Sequence, residues 1–414
     1  MKESISMISK YFQRATALMA FLIVVTSLAD AQSGSTRPRR APQPKATPQA
    51  SPSNTQGNNE PLLNPTPTKN TGVAAPVSSG STSLAYSLLQ QKKYEEAIRE
   101  ARRVGAIEPN NSEAWKIAGF AEVNLKQYKD AAVDLQKALD LQRVSAQEDA
   151  NTIDALAQAY ARNEEFDRAL PLLVIATSRT GVKPDPALLF LRGLSEYRTG
   201  KADDALRSFN ATVKASPKDA ASLFYLGRIF FERNDLPASI AALNRSTAAD
   251  LRFAPAWSLL TSAYLRRAAM GTGAGADADY LSAVRAGESL TRIRTDADAV
   301  TLFAQALIGA KQYVRAAAEL EKVTGAADTK GATLYLLGIS QSRAKNFPKA
   351  ISALERAAAK SPDDINIYRE LGYAYEISKQ YAKALSAYEN GARLAPADTD
   401  FKASIERVRP LVKQ

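Results

Sequence analysis

Residues 112–142 read SEAWKIAGFAEVNLKQYKDAAVDLQKALDLQ. Apolar and small side chains recur at intervals of three and four in two blocks, interrupted at Leu125-Lys126-Gln127. That is the period of two amphipathic helices joined by a tight turn. Residues 365–396, INIYRELGYAYEISKQYAKALSAYENGARLAP, follow the same plan. A 34-residue frame carries the pattern along most of the chain, with starts at 78, 112, 150, 186, 220, 254, 297, 331 and 365.

Three places in this frame are restricted. Place twenty holds Ala97, Ala131, Ala169, Ala205, Ser239, Ala283, Ala316, Ala350 and Ala384. Place eight is always small: Ala85, Gly119, Ala157, Gly193, Gly227, Thr261, Ala304, Gly338 and Gly372. Place seventeen holds Tyr94, Tyr128, Phe166, Ala202, Leu236, Tyr280, Tyr313, Phe347 and Tyr381, although aromatics are only 7% of the chain. Small residues at places eight and twenty let two antiparallel helices, A and B, approach closely. The aromatic at place seventeen and the bulky side chains at place twenty-four (Leu135, Leu173, Phe209, Leu243, Leu320, Leu354 and Tyr388) are expected to fill the gap to the next unit. Prolines at place thirty-two (Pro109, Pro217, Pro362 and Pro396) stop helix B.

These columns resemble the tetratricopeptide repeat (TPR) family. The resemblance implies an all-α TPR α-solenoid, a right-handed superhelix of helix-turn-helix repeats, in which stacking covers apolar faces that one repeat cannot cover alone. The expected array spans 78–396 in about nine repeats: 78–111, 112–149, 150–185, 186–219, 220–253, 254–296, 297–330, 331–364 and 365–396. About four extra residues follow Gln142, and about ten separate Tyr264 from Tyr280. The Gly-rich stretch GTGAGA at 271–276 is expected to be a flexible inter-helix loop, and Gly287 at place twenty-four is expected to thin the packing there. Phe401, Ile405 and Val408 stand at helical spacing, so 397–414 is expected to form a C-terminal capping helix.

The N-terminus has a different character. Lys2, Lys10 and Arg14 precede fifteen uncharged residues, Ala15–Ala29, and then Ala29-Asp30-Ala31. This is the pattern of a cleaved export signal over 1–31, with an uncleaved anchor as the alternative. Residues 32–77 hold nine of the twenty prolines and almost no aliphatic side chains, which predicts a disordered Pro-rich linker. The expected location is therefore exported, periplasmic or secreted, with no integral membrane span after signal cleavage.

Composition narrows the chemistry. The chain has 414 residues with neither cysteine nor histidine, which removes thiol nucleophiles, disulfides, Cys/His zinc sites and histidine bases. The net charge of +11 divides into +1 over 1–31, +4 over 32–77 and +6 over 78–414. Spread over the repeats, that is a mild excess, and no nucleic-acid footprint is expected. GTGAGA fits a loose dinucleotide pattern but follows a helix instead of the strand that pyrophosphate binding needs. Asp277, Asp279, Asp296 and Asp298 lack the turn glycine and closing glutamate of a calcium loop, and read as solvated carboxylates near helix starts. No catalytic, cofactor or metal site is expected. A pocket with two facing buried carboxylates would reopen the question of an enzyme.

The resemblance also implies where a partner binds. Places two, five, nine, twelve and thirteen of helix A commonly face the concave side in this family. Here they include Lys116, Phe120 and Asn124; Phe190, Leu194, Tyr197 and Arg198; Phe224, Arg228 and Phe231; and Tyr335, Arg343, Arg369 and Tyr373. Aromatics and arginines suit an extended or helical peptide with acidic and apolar side chains. The alternative at this stage is that the aromatics pack between neighbouring A helices and the arginines are solvated. A carboxylate clamp with lysine at place five and asparagine at place nine is not matched, because Phe120 follows Lys116. The leading expectation is a non-catalytic, protein-binding adaptor of the bacterial cell envelope. The alternative is a wall- or polysaccharide-associated protein, with the basic Pro-rich segment contacting an anionic wall or membrane surface.

Overall fold

A computed structural model describes residues 82–413. The expected export signal, the expected Pro-rich linker and the first four residues of the expected array lie outside the described residues. Among the described residues the regular structure is helical throughout, an all-α TPR solenoid of paired helices. They form two compact units, 82–229 and 230–413.

In 82–229, helices Thr82–Gln90, Ser112–Asn124, Ala150–Arg162 and Pro186–Arg198 are A helices, and Tyr94–Ile107, Tyr128–Val144, Phe166–Thr177 and Ala202–Ala215 are their B partners. The unit ends within the A helix Ala220–Glu232. In 230–413, B helix Leu236–Ala249 is followed by the hairpins Ala254–Met270/Gly273–Ile293, Ala297–Gly309/Tyr313–Glu321, Gly331–Arg343/Phe347–Lys360 and Ile365–Ile377/Tyr381–Leu394. Helix Thr399–Val408 and a 3-10 turn, Arg409–Lys413, close it. Within each unit a B helix packs on its own A helix and on the next one, and successive A helices also touch.

The close approach of A and B has an atomic cause. A Cβ built on Gly119 would lie 2.4 Å from Leu135 Cγ, on Gly338 2.5 Å from Leu354 Cγ, and on Gly372 2.4 Å from the Tyr388 ring. The bulky residue at place twenty-four therefore seats on place eight of its own hairpin. At Phe209 the same place also reaches the next unit, where its ring stacks on Tyr225 of the following A helix with centroids 5.2 Å apart. Gly287 is the exception: it packs against Phe303 of the following A helix, whose ring takes up the space.

The A–B turn bends through one residue in the left-handed region. Lys92, Lys126, Glu164, Asn234, Lys311, Lys345 and Lys379 all have φ between +59° and +63°, and Gly200 has +79°. All eight stand at place fifteen. Most A helices then start on a side-chain cap: Asn111, Asp149, Asp185, Asp296 and Asp364 each accept from a backbone N–H two or three residues on.

A polar contact also recurs between neighbouring hairpins, from place twenty-five of a B helix to place eleven of the next A helix. Arg102 Nη2 lies 2.6 Å from Glu122 Oε1, and Tyr160 donates to Gln136 at 2.8 Å. In the second unit Asn244 donates to Tyr264 at 3.3 Å, Gln341 to Glu321 at 2.9 Å, and the Tyr375 hydroxyl to Glu355. Arg409 extends the series to Glu389 at 3.7 Å. Each ties the outer edge of one hairpin to its neighbour.

The ten-residue insertion is not a loop. It lengthens both helices of its hairpin to 17 and 21 residues and leaves only Gly271 and Thr272 between them. Arg267 clasps Asp279 through two bonds of 2.5 and 2.8 Å across the extension. Asp279 is thus an ion-paired helix residue and not a turn carboxylate. The shorter insertion likewise extends helix Tyr128–Val144 to 17 residues. At the C-terminus, Phe401 and Val408 are fully buried, and the Phe401 ring covers Gly391.

Candidate functional site

The candidate residues divide by what surrounds them. Lys116 pairs with Glu113 at 2.6 Å and with Asp149, the cap of the next A helix, at 3.1 Å. Burial opposes its charge, but the two carboxylates outweigh burial and raise its pKa. Phe120 is buried, and Asn124 donates to the Phe120 carbonyl at 2.8 Å. Lys116 thus ties its hairpin to the next, whereas the Asn124 bond stays within its own helix.

The second unit repeats this at its end. Arg369, also at place five, bonds Asp398 at 2.5 Å, the cap of the final helix, and lies 4.9 Å above the Phe401 ring. Arg343 grips Glu370 with bonds of 2.9 and 3.2 Å. Tyr335 is buried, and burial together with Glu370 pushes its hydroxyl pKa well up. Tyr373 is half-buried and meets Phe347 edge-on at 6.4 Å. Phe231 is buried beneath Arg266 at 5.1 Å. Phe120, Phe231 and Tyr335 are thus core side chains and not open groove surface. The guanidinium forks of Arg343 and Arg369 are directed at carboxylates of the chain itself.

Residues 186–229 are different. Phe190 and Tyr197 on one A helix, Phe224 and Tyr225 on the next, and Phe209 on the B helix between them form one aromatic cluster. Tyr225 is its hub. Its ring stacks on Phe209 with centroids 5.2 Å apart, and lies 5.3 Å from Phe224, 5.5 Å from Tyr197 and 6.0 Å from Phe190. Arg228 sits 5.3 Å above Tyr197, and Arg198 lies 5.2 Å above Phe166 and 3.7 Å from Glu164. Burial raises the Tyr225 pKa against the pull of Arg228 and Arg198, so its hydroxyl stays neutral at physiological pH. Phe209 is fully buried and forms the floor. Phe190, Leu194, Tyr197, Phe224, Tyr225 and Arg228 are half-buried, and Arg198 is exposed. The arrangement is a supported aromatic surface with two guanidinium groups beside it, suited to apolar and carboxylate side chains of a ligand.

Sequence reasoning missed Tyr225. It stands at place six, a core position held elsewhere by Ile117, Leu191, Leu259, Leu302 and Leu336. The available signal was aromatic density in SLFYLGRIFFE, 222–232. Arg192, at a usually aliphatic place, is accounted for by a buried polar cluster: it bonds Glu196 at 2.8 Å and Thr177 at 3.0 Å, while Ser208 donates to Glu196 at 2.6 Å.

Two facing buried carboxylates do exist. Arg102 bonds both Glu122 and Asp134, which are 1% and 5% exposed. Burial and the neighbouring Asp134 push Glu122 up to about 8, with Arg102 pulling the other way. Asp130 adds further negative charge beside Glu122, and Arg102 is the cation that holds the two buried carboxylates together. Among the described residues no cluster of three or more acidic ligands suits a metal ion.

A tetratricopeptide repeat family model matches residues 155–204, 190–251 and 335–399. With the paired helices and their restricted columns, the chain is a tetratricopeptide repeat protein. Such repeats are typically a non-catalytic interaction scaffold, and proteins built from them bind protein or peptide partners. Similar solved structures include YrrB, described as a TPR protein with an unusual peptide-binding site, at 14% identity over 49% of this chain and 99% of that one, TM-score 0.42. A tetratricopeptide repeat protein from Parabacteroides merdae ATCC 43184 has 15% identity over 64% of this chain and 98% of that one, TM-score 0.40. MamA from Desulfovibrio magneticus RS-1 has 20% identity over 44% of this chain and 97% of that one, TM-score 0.38. No curated protein matches the sequence.

Proposed function

We propose that this chain is a non-catalytic adaptor of the cell envelope or periplasm that holds an extended or helical segment of a partner protein on the helix-A surface of residues 186–229. The observation that carries the reading is the Tyr225-centred cluster. It gathers Phe190, Tyr197 and Phe224 beside Arg198 and Arg228, five residues that also stand at groove places of the frame. Apolar side chains of the partner gain contact area on the half-buried rings, and its carboxylates meet the guanidinium groups.

The compartment rests on the sequence of residues 1–31, where a basic start, an apolar run and Ala29-Asp30-Ala31 support export. On this reading 32–77 is a spacer, 78–396 the repeat array and 397–414 its cap. Among the described residues no helix is long and apolar enough to cross a membrane.

The test is partner capture from solubilised envelope fractions, comparing the wild type with Phe224→Ala/Arg228→Ala. The double variant is expected to retain its helical content and lose at least about tenfold in capture of the same partner, as for a residue pair at the centre of an interface. Equal capture by a folded double variant contradicts the assignment.

A further inference from the structure

The A–B turns of the last three hairpins share a chemistry that the others lack. Places fourteen to nineteen read AKQYVR at 310–315, AKNFPK at 344–349 and SKQYAK at 378–383. Each stretch carries two cations and no carboxylate. The corresponding stretches of the first five hairpins, QKKYEE (91–96), LKQYKD (125–130), NEEFDR (163–168), TGKADD (199–204) and RNDLPA (233–238), each carry at least one carboxylate.

All six cations, Lys311, Arg315, Lys345, Lys349, Lys379 and Lys383, are exposed. They form two rows. In the inner row, Arg315 lies 3.4 Å from Glu288, Lys349 lies 2.9 Å from Glu321, and Lys383 sits over the Tyr375 ring at 5.4 Å. The outer row is Lys311, Lys345 and Lys379, each at the apex of its turn with φ of +61°, +63° and +59°. Successive A helices in this unit are in contact, so the three apices follow one another at roughly 10 Å.

The left-handed apex is where glycine is least strained, and Gly200 occupies it in the fourth hairpin. Lysine holds this place at Lys92 and Lys126 as well, so what sets the last three turns apart is that no carboxylate accompanies it in the turn. The edge offers flexible point charges instead of bidentate forks, since five of the six cations are lysine. The interleaved aromatics are not presented for stacking: Phe347 and Tyr381 pack on one core cluster and Tyr313 on another. Diffuse charge without base- or sugar-stacking geometry fits a surface of anionic headgroups better than a threaded polymer.

We propose that the turn edge formed by Lys311, Lys345 and Lys379, backed by Arg315, Lys349 and Lys383, docks the protein on an anionic phospholipid bilayer. The test is sedimentation of the full chain with phosphatidylcholine vesicles, with or without about one-third phosphatidylglycerol, at low ionic strength. Lys311→Glu/Lys345→Glu/Lys379→Glu is compared with Lys92→Glu/Lys126→Glu/Lys201→Glu, which makes the same change in net charge on other turns. Glu164 occupies the same left-handed place in the third hairpin, so glutamate is compatible with the turn. The expected result is a loss of at least about tenfold in partition for the first triple and less than about threefold for the second, with added salt abolishing wild-type binding. The neutralising triple Lys311→Gln/Lys345→Gln/Lys379→Gln is expected to show an intermediate loss at unchanged helical content, which reads the surface independently of any effect of charge reversal on folding. Equal losses in the two reversal triples, no loss in either the first reversal or the glutamine triple, or wild-type binding to soluble polyphosphate but not to the vesicles would each overturn the proposal.

Discussion

Tyr225 stacks on Phe209, with ring centroids 5.2 Å apart and an angle of 7° between the ring planes. Tyr225 is half-buried and Phe209 fully buried, so the pair joins the candidate surface to the core beneath it.

Stability and binding are therefore separable at this site. Tyr225→Ala removes the hub of four ring contacts and is expected to destabilise by about 2–4 kcal/mol. Arg228→Ala leaves those ring contacts in place and is expected to change stability by less than about 1 kcal/mol. Urea unfolding followed by circular dichroism measures both; equal losses would show that Arg228 is mainly a structural residue.

The Arg102–Glu122–Asp134 cluster makes the first junction sensitive to pH. Folding raises Glu122 from its ordinary value to about 8 through burial and Asp134. Its contribution is full below the ordinary carboxylate range, declines as pH rises, and is lost once pH passes about 8. Glu122→Gln removes this titration, so the variant should gain stability relative to the wild type as pH rises from about 5 to about 9. Parallel pH profiles of the urea midpoints would place the proton elsewhere.

Much of the fold is legible in sequence because sterics restrict identity: place eight must be small where Leu135, Leu354 or Tyr388 presses on it. The contact between places twenty-five and eleven is not legible, because it is met by Arg/Glu, Gln/Tyr, Asn/Tyr and Glu/Gln pairs that preserve complementarity without repeating a residue type. The same limit applies to the candidate site. Frame places identify which side chains lie on helix A, but Arg343 and Arg369 are claimed by Glu370 and Asp398, partners whose positions follow only from the stacking. The Gly-rich insertion misleads because glycine content signals a loop, whereas packing and the Arg267–Asp279 clasp carry both helices through it.

The turn apex gives a purely conformational prediction. A Cβ on Gly200 would have no atom within 4 Å, so Gly200→Ala meets no clash and only the strain of φ +79°. A loss of about 1 kcal/mol is expected, and Lys126→Gly, at φ +60°, should recover a smaller amount in the opposite sense. Thermal melting of the two variants checks the sign.

The helix-pair register is tested by overpacking. Ala131 is fully buried at place twenty, and Gly119 faces Leu135 at place eight. Ala131→Leu and Gly119→Val should each destabilise by about 1–3 kcal/mol, whereas Val133→Leu, on the exposed side of the same B helix, should be close to neutral. A neutral Ala131→Leu in chemical denaturation would contradict the register.

Partner binding by the helix-A surface is tested most directly by photocrosslinking, with p-benzoylphenylalanine placed at Phe224 or, on a B helix, at Val133, and exposed to envelope fractions. A single partner crosslinked from position 224 and absent from position 133 is the expected result. Efficient crosslinking of that partner from 133 with none from 224 would contradict the assignment of the Tyr225-centred surface.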